Sequence, residues 1–492
     1  MIKTRTAVEL SAHDLHFNAE RLFEAGYTLA AITAHDDDDE LRVVYSFIIG
    51  PPDECHELIV RVSKDDPTLP SLSDLSFPAS RFEREIHDFF GIVPVGHRFL
   101  RPLALHQHWP VDWRALRHDS GPMPPMRDDA APYPFVEVQG SGVYEIPVGP
   151  IHAGLIEPGH FRFSVVGETI LKMTARLWYV HRGIERLFEG TAPAQGLMIA
   201  ERISGDTAVG HSLAFVMALE DAMGIEVQVE SKVVRALLLE LERLYNHVGD
   251  IGAMCNDVGF GVAQARAMII REGLLRLNES VTGHRLLRGS IGLGTSHVRR
   301  LPSSEELDQV AQELDDLVGL ALSNTVLVDR FEGTAVLHAD DARQLGTLGP
   351  AARASGCGVD ARAAHGFVES PAFRLLVQSR GDVMARFIQR VEEARMSISM
   401  IQDFLRRVDR LSHESRERVD PSREGLGIVE GWRGMIVHRV EIDVSGALSR
   451  CHVVDPSFHN WPAVAVSLAD TIVPDFPLAN KSFNLSYAGN DL

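Results

Sequence analysis

Cysteine is scarce in this chain of 492 residues: Cys55, Cys255, Cys357 and Cys451 are the only four, and no two lie close in sequence. Without a CxxC pair, neither a disulfide framework nor a zinc ribbon can organise the fold. An iron–sulfur cluster held by this chain alone would need all four thiolates to meet. Long apolar runs are missing as well. Residues 317–328 form the longest candidate, closed off by Asp316 and Asp329, well short of the ~20 residues a membrane span needs. No apolar stretch follows the N-terminal Met1-Ile2-Lys3-Thr4-Arg5, so no secretory signal is expected. A GxGxxG after a strand is absent too, so no Rossmann fold is expected.

What is present describes a folded protein with two or three domains. Hydrophobic residues make up 45% and charged residues 24%, enough to bury a sizeable core. The formal charge of −20 argues against nucleic acid or an anionic membrane surface as a direct partner. Any membrane contact is therefore expected through partner subunits.

The pattern predicts α+β architecture in three regions. Residues 1–118 mix β-rich runs with short helices: residues 41–50, rich in Val, Ile, Tyr and Phe and ending in Gly50-Pro51-Pro52, read as a strand. Residues 81–90 read as a helix with Ile86, Phe89 and Phe90 on one side. Residues 119–144 carry Pro122, Pro124, Pro125, Pro132 and Pro134 and predict an extended linker. Residues 145–492 predict a large, mainly helical domain with a small β-structure at its start, including a strand at 161–166. Within it, Leu237, Leu238, Leu241, Leu244 and Val248 recur at helical spacing. Residues 265–277 and 305–322 look similar.

Two blocks carry a resemblance to known families. Glu83-Arg84-Glu85, Asp88, Phe90-Gly91-Ile92 and Gly96-His97 resemble the 30-kDa-type subunit of respiratory complex I. Gly149-Pro150-Ile151-His152, Glu157-Pro158-Gly159-His160 and Tyr179-Val180-His181-Arg182-Gly183-Ile184-Glu185 are similar to the large subunit of group 4 membrane-bound nickel–iron hydrogenases and to the related 49-kDa-type subunit of complex I. The two are fused in the order of a formate hydrogenlyase large subunit. Further likeness runs through Asp360 and Arg362, Glu430-Gly431-Trp432-Arg433-Gly434 and Asn460-Trp461-Pro462.

The chain departs from the hydrogenase pattern at the metal ligands. Such a hydrogenase holds nickel and iron with two CxxC pairs, because soft thiolates suit those metals. Here the matching positions are Ser204, Thr207, Ser486 and Gly489. Nor is the removable tail of such hydrogenases expected after Leu492. A nickel–iron centre is therefore not expected. The Arg202-Ile203-Ser204-Gly205-Asp206 pattern is instead similar to complex I-type subunits, in which the cavity serves quinone chemistry. The resemblance puts a quinone-contacting histidine on the hairpin that holds Glu157 and His160, the alignment being open between the two. His160 would deliver a proton to a reduced quinone or merely brace the hairpin. Met198 stands where the complex I family has a quinone-contacting tyrosine. Arg433 matches an arginine above the hydrogenase metals; it would orient a carbonyl or serve as an ion-pair partner. His152, Met198, Asp206 and His211 complete the candidate cofactor-binding set, His211 being equally readable as an interior histidine. Glu240, Arg243 and His247 share one helix face, as a proton path or an ion-pair network. His181, Arg182 and Glu185 would face a subunit interface or the cavity.

The implied function is that of an electron-transfer subunit of a membrane-associated oxidoreductase on the cytoplasmic face of the cell membrane, with quinone as a candidate acceptor. Its implied partners are a small iron–sulfur subunit that holds a 4Fe-4S cluster, a ferredoxin-like subunit and antiporter-like membrane subunits. A catalytically silent scaffold and a formate-hydrogenlyase-type hydrogenase are the alternatives.

Overall fold

The computed structural model describes residues 4–128, 131–408 and 422–492. Strands Thr4–Leu10, Thr28–Asp36, Glu40–Ile49 and Glu54–Ser63 build a four-stranded sheet in which the first strand runs parallel to the fourth and the other pairs are antiparallel. Glu40–Ile49 is buried along almost its whole length. It is an interior strand of the sheet, which explains an apolar run without alternation. Helix Phe77–Phe90 packs against this sheet; it starts with Pro78 in its first turn and stops at Gly91, whose φ of 77° reverses the chain. The helix begins four residues before the predicted 81–90.

Between the short 3-10 turn His118–Ser120 and strand Val143–Val148, the described residues form neither helix nor strand. This stretch lies over the small antiparallel sheet Val143–Val148, His160–Val166 and Thr169–Arg176: Phe135 sits under the Arg162 guanidinium at 4.1 Å and Tyr133 under that of Arg176 at 4.6 Å.

The rest of the chain is organised around helix Val229–Asp257, whose 29 residues span about 43 Å. Helices Ala208–Met223, Gly261–Thr282 and Val383–Val408 pack around it. Burial is continuous from Val233 to Val248, so Glu240, Glu242 and Arg243 are interior and must be paired. A C-terminal antiparallel sheet, Glu424–Gly431, Gly434–Ile442 and Leu448–Val454, lies on helix Ala208–Met223. Its first strand approaches the helix backbone closely. A Cβ at Gly425 or Gly427 would fall 1.9 Å from the carbonyl oxygen of Ala218 or Ala214, so only glycine permits this contact.

The N-terminal sheet is locked onto the C-terminal sheet by ions. Arg439 donates to Glu57 at 3.0 Å, to Glu441 at 2.7 Å and to Glu424 at 2.8 Å. Arg42 makes two 2.9 Å bonds to Glu441, and Arg5 bonds Glu57 at 2.8 Å. Three guanidiniums thus meet three carboxylates, satisfying charges that could not be buried singly.

Candidate functional site

Residues 201–207, just ahead of helix Ala208–Met223, meet residues 484–491 at the C-terminus, with Ser204 and Ser486 282 positions apart in the chain. The contact joins two of the residues matched to hydrogenase ligand positions: the hydroxyls of Ser204 and Ser486 are 2.8 Å apart. Ser486 also accepts the Gly489 amide at 2.9 Å, capping the helical turn Tyr487–Asp491. Thr207 donates to Asp206 at 3.0 Å. A Cβ at Gly489 would come within 2.5 Å of the Asp455 carboxylate. A carboxylate therefore fills the space where a fourth thiolate would sit. Three hydroxyls held in hydrogen bonds, one of them a helix cap, offer no soft donor set, and this donor set does not fit nickel and iron.

An ion pair stands at the centre instead. Arg433 grips Asp206 in a bidentate contact, 2.7 Å at both oxygens, and donates from Nε to the Asn484 carbonyl at 2.5 Å. Its guanidinium lies 3.8 Å over the Trp432 ring, whose indole N–H reaches the Asp206 carbonyl and Thr207 at 3.1 Å. Burial raises the Asp206 carboxyl, but the Arg433 charge and bonds from Arg433, Ser204 and Thr207 outweigh it and hold the group at about 2. Although closely surrounded, the Asp206 side chain is 35% exposed, so water screens part of this pairing.

Behind the pair lies a buried relay. Asp455 accepts from His211 Nε2 at 3.0 Å, and His211 Nδ1 is 3.1 Å from His438 Nε2. Burial, then the neighbouring His211, pushes His438 well down, so this ring is neutral. Glu242 takes the Val209 and Gly210 amides at 2.7 and 2.9 Å, at the start of helix Ala208–Met223. Burial nonetheless raises its carboxyl to about 8, leaving it largely protonated at neutral pH.

The hairpin residues divide. His160 Nδ1 lies 3.2 Å from the Gly149 carbonyl, bracing the hairpin. Glu157 accepts the Ala488 amide at 3.0 Å, tying the hairpin to the C-terminal turn. His152 sits between the rings of Phe161 and Tyr487, and its Nε2 is buried without a hydrogen-bond partner. Met198 is 58% exposed on helix Pro193–Ala200. The His181 ring reaches the Asp491 carbonyl at 2.8 Å, Arg182 binds the carbonyls of Ile203 and Ala488, and Glu185 is buried against Arg450 and His452.

Two residues of this region went unnoticed in the sequence. Asp455 gives no local signal of its own. Tyr487 follows the lost ligand position Ser486 directly, and that adjacency was the available cue. Its ring packs on Trp461 at 4.9 Å; Asn480 is nearby, yet the buried hydroxyl makes no hydrogen bond of ordinary geometry. Two orphaned polar atoms, the Tyr487 hydroxyl and His152 Nε2, thus belong to rings whose centres are 6.2 Å apart.

Comparison with known proteins agrees with this architecture. Residues 8–131 match the 30 Kd subunit of respiratory-chain NADH dehydrogenase, residues 182–249 match nickel-dependent hydrogenase and residues 257–424 match the 49 Kd subunit of respiratory-chain NADH dehydrogenase. The chain belongs to the family of fused large subunits shared by complex I and its hydrogenase relatives. It is 32% identical to formate hydrogenlyase subunit 5 of Escherichia coli (strain K12) over 448 residues, covering 88% of this chain and 78% of that one. It is 28% identical to the fused C/D polypeptide of the NADH-quinone oxidoreductase of Phocaeicola vulgatus, covering 87% and 88%. Among solved structures, a chain of the membrane-bound sulfane sulfur reductase, an archaeal respiratory membrane complex, superposes with a TM-score of 0.62 at 22% identity, over 71% of this chain and 99% of that one. These relatives are subunits of oxidoreductase complexes, and this chain is a subunit of that kind. Among the described residues no helix is long and apolar enough to cross a membrane.

Proposed function

We propose that this chain is an electron-transfer subunit of a membrane-associated complex in which the former nickel–iron cavity has become a protein-filled wall beside the acceptor site. The observation that carries the reading is the Ser204–Ser486 hydrogen bond with the Asp455 carboxylate at Gly489. It leaves no donor set for the metals while retaining the surrounding fold. Electrons would arrive from a 4Fe-4S cluster on a neighbouring small subunit. A ferredoxin-like subunit and antiporter-like membrane subunits would complete an assembly on the inner face of the cell membrane. A quinone accepts two electrons and two protons. His152 Nε2 and the Tyr487 hydroxyl, both unsatisfied and buried, are the groups that would bind its carbonyl oxygen. Tyr487 would take the part that Met198 cannot. His160 and Glu157 hold the hairpin in place, and Arg433 with Asp206 holds the cavity wall.

Purification with co-expressed partners tests this reading. Iron without nickel, together with quinone reduction that falls in Tyr487→Phe, is the expected result. Stoichiometric nickel, or a complex without acceptor-dependent activity, refutes it. A second reading, a silent scaffold, draws support from the Arg433–Asp206 pair filling the cavity; full complex activity in both Arg433→Ala and His152→Ala would favour it.

A further inference from the structure

Away from this site, a cavity of about 410 Å³ opens between helix Val229–Asp257, helix Val383–Val408, strand Glu424–Gly431 and residues 361–373. Its volume lies in the ~300–1,000 Å³ range of small-molecule sites. Phe367, Phe373, Phe404 and Met400 supply apolar walls, while Glu240, Arg362 and Glu430 supply the charged lining.

The charges behind this lining do not balance. Among the described residues, four buried carboxylates, Glu240, Asp360, Glu393 and Glu430, share three guanidiniums, Arg243, Arg353 and Arg362. Arg362 is taken up by Asp360 and Glu240, at 2.8 and 3.2 Å. Arg353 is taken up by Glu393 and Glu430, at 2.8 and 2.7 Å. His247 does not supply the fourth positive charge. Its Nε2 faces Glu393 at 3.3 Å, but its buried Nδ1 has no partner, and an imidazolium would bury an unpaired N–H there. Among the described residues one carboxylate is therefore in surplus, at the cavity wall. Around Glu430 the charged groups are Asp360, Arg353, Arg243 and Arg362; burial first, then Asp360, raises its carboxyl. At the rim, exposed Glu369 adds negative charge and Arg407, which donates to the Glu369 carbonyl, adds positive charge.

We propose that this cavity binds an organic monocation, a primary amine carried on a flat apolar body. The ammonium group compensates the surplus carboxylate at Glu430 and Glu240, where the low dielectric strengthens the attraction. The apolar body lies among the three phenylalanines, of which Phe373 and Phe404 already carry the Arg362 and Arg407 guanidiniums at 5.1 and 5.9 Å, which leaves Phe367 to face the ligand. The site is separate from the proposed acceptor site and does not depend on it.

Calorimetric titration of the full-length chain at pH 7 tests the inference with three probes of one shape: 2-phenylethylamine, 2-phenylethanol and 3-phenylpropanoate. The amine is expected to bind at one site, about tenfold or more tighter than the alcohol, with no binding of the carboxylate. Val368→Trp, placed at the half-exposed wall, fills the cavity without touching the ion pairs and is expected to weaken amine binding at least about tenfold. Glu430→Gln is expected to bring amine and alcohol to equal affinity. Absence of amine binding at millimolar concentration, equal binding of alcohol and amine by the unaltered chain, or undiminished amine binding by a folded Val368→Trp variant would each overturn the proposal.

Discussion

Replacing Arg433 by alanine tests its ion pair with Asp206. The substitution removes two 2.7 Å bonds to Asp206, the Nε bond to the Asn484 carbonyl and the stacking on Trp432. Breaking a fully buried pair from one side costs roughly 3–5 kcal/mol. Asp206 is 35% exposed along its side chain, so water recovers part of that loss. The expected destabilisation is therefore about 2–3 kcal/mol. Guanidinium unfolding followed by tryptophan fluorescence reads it, since Trp432 and Trp461 both lie in the region. Asp206→Asn in the same background should add less than its own separate cost, with a coupling of about 1–2 kcal/mol. Acid titration supplies a second sign. Asp206 is held at about 2, below its ordinary value, so its contribution is present above that ordinary value and lost as pH falls through about 2. In Arg433→Ala that acid loss should shrink, leaving the part due to the Ser204 and Thr207 hydroxyls. A cost under about 0.5 kcal/mol with additive double-mutant behaviour would refute the reasoning.

Glu242, raised to about 8 by burial, works in the opposite sense: its contribution is present below its ordinary carboxylate range and is lost as pH rises through about 8. Glu242→Gln should flatten the alkaline fall in stability by a few kcal/mol, roughly, as read by unfolding at pH 6 and pH 9. Gly427→Ala places a methyl 1.9 Å from the Ala214 carbonyl and should cost about 4 kcal/mol or more, visible as loss of folded yield, whereas Gly273→Ala, in helix Gly261–Thr282 with open space around it, should retain folded yield. Restoring all four cysteines at Ser204, Thr207, Ser486 and Gly489 should still give no stoichiometric nickel by elemental analysis, because the new side chain at Gly489 meets Asp455 at 2.5 Å; nickel uptake by that variant would show that Asp455 yields.

The buried runs were legible because their periods were. Residues 41–50 carry a continuous apolar strand signal and fall in Glu40–Ile49; the Leu and Val spacing of 237–248 falls within Val229–Asp257. The caps were less legible: Pro78 at the first turn of helix Phe77–Phe90 extends it beyond the apolar stretch that announced it. The lost ligand positions could be read from motif spacing. What replaced them could not, since Ser204 and Ser486 are 282 positions apart and Asp455 belongs to neither motif. The face shared by Glu240, Arg243 and His247 was visible at helical spacing, but Glu393, Arg353, Asp360 and Glu430 join it from other elements.

By itself, then, the sequence determined the family and the α+β class, because these are written in composition, period and contiguous motifs. Tertiary structure alone decided that Arg433 closes on Asp206, that His160 braces a hairpin while His152 is left unsatisfied beside Tyr487, and that a surplus carboxylate lies against a cavity. Each of these depends on distances between residues far apart in the chain, and on burial, which sets both the cost of an unpaired charge and the position of its titration.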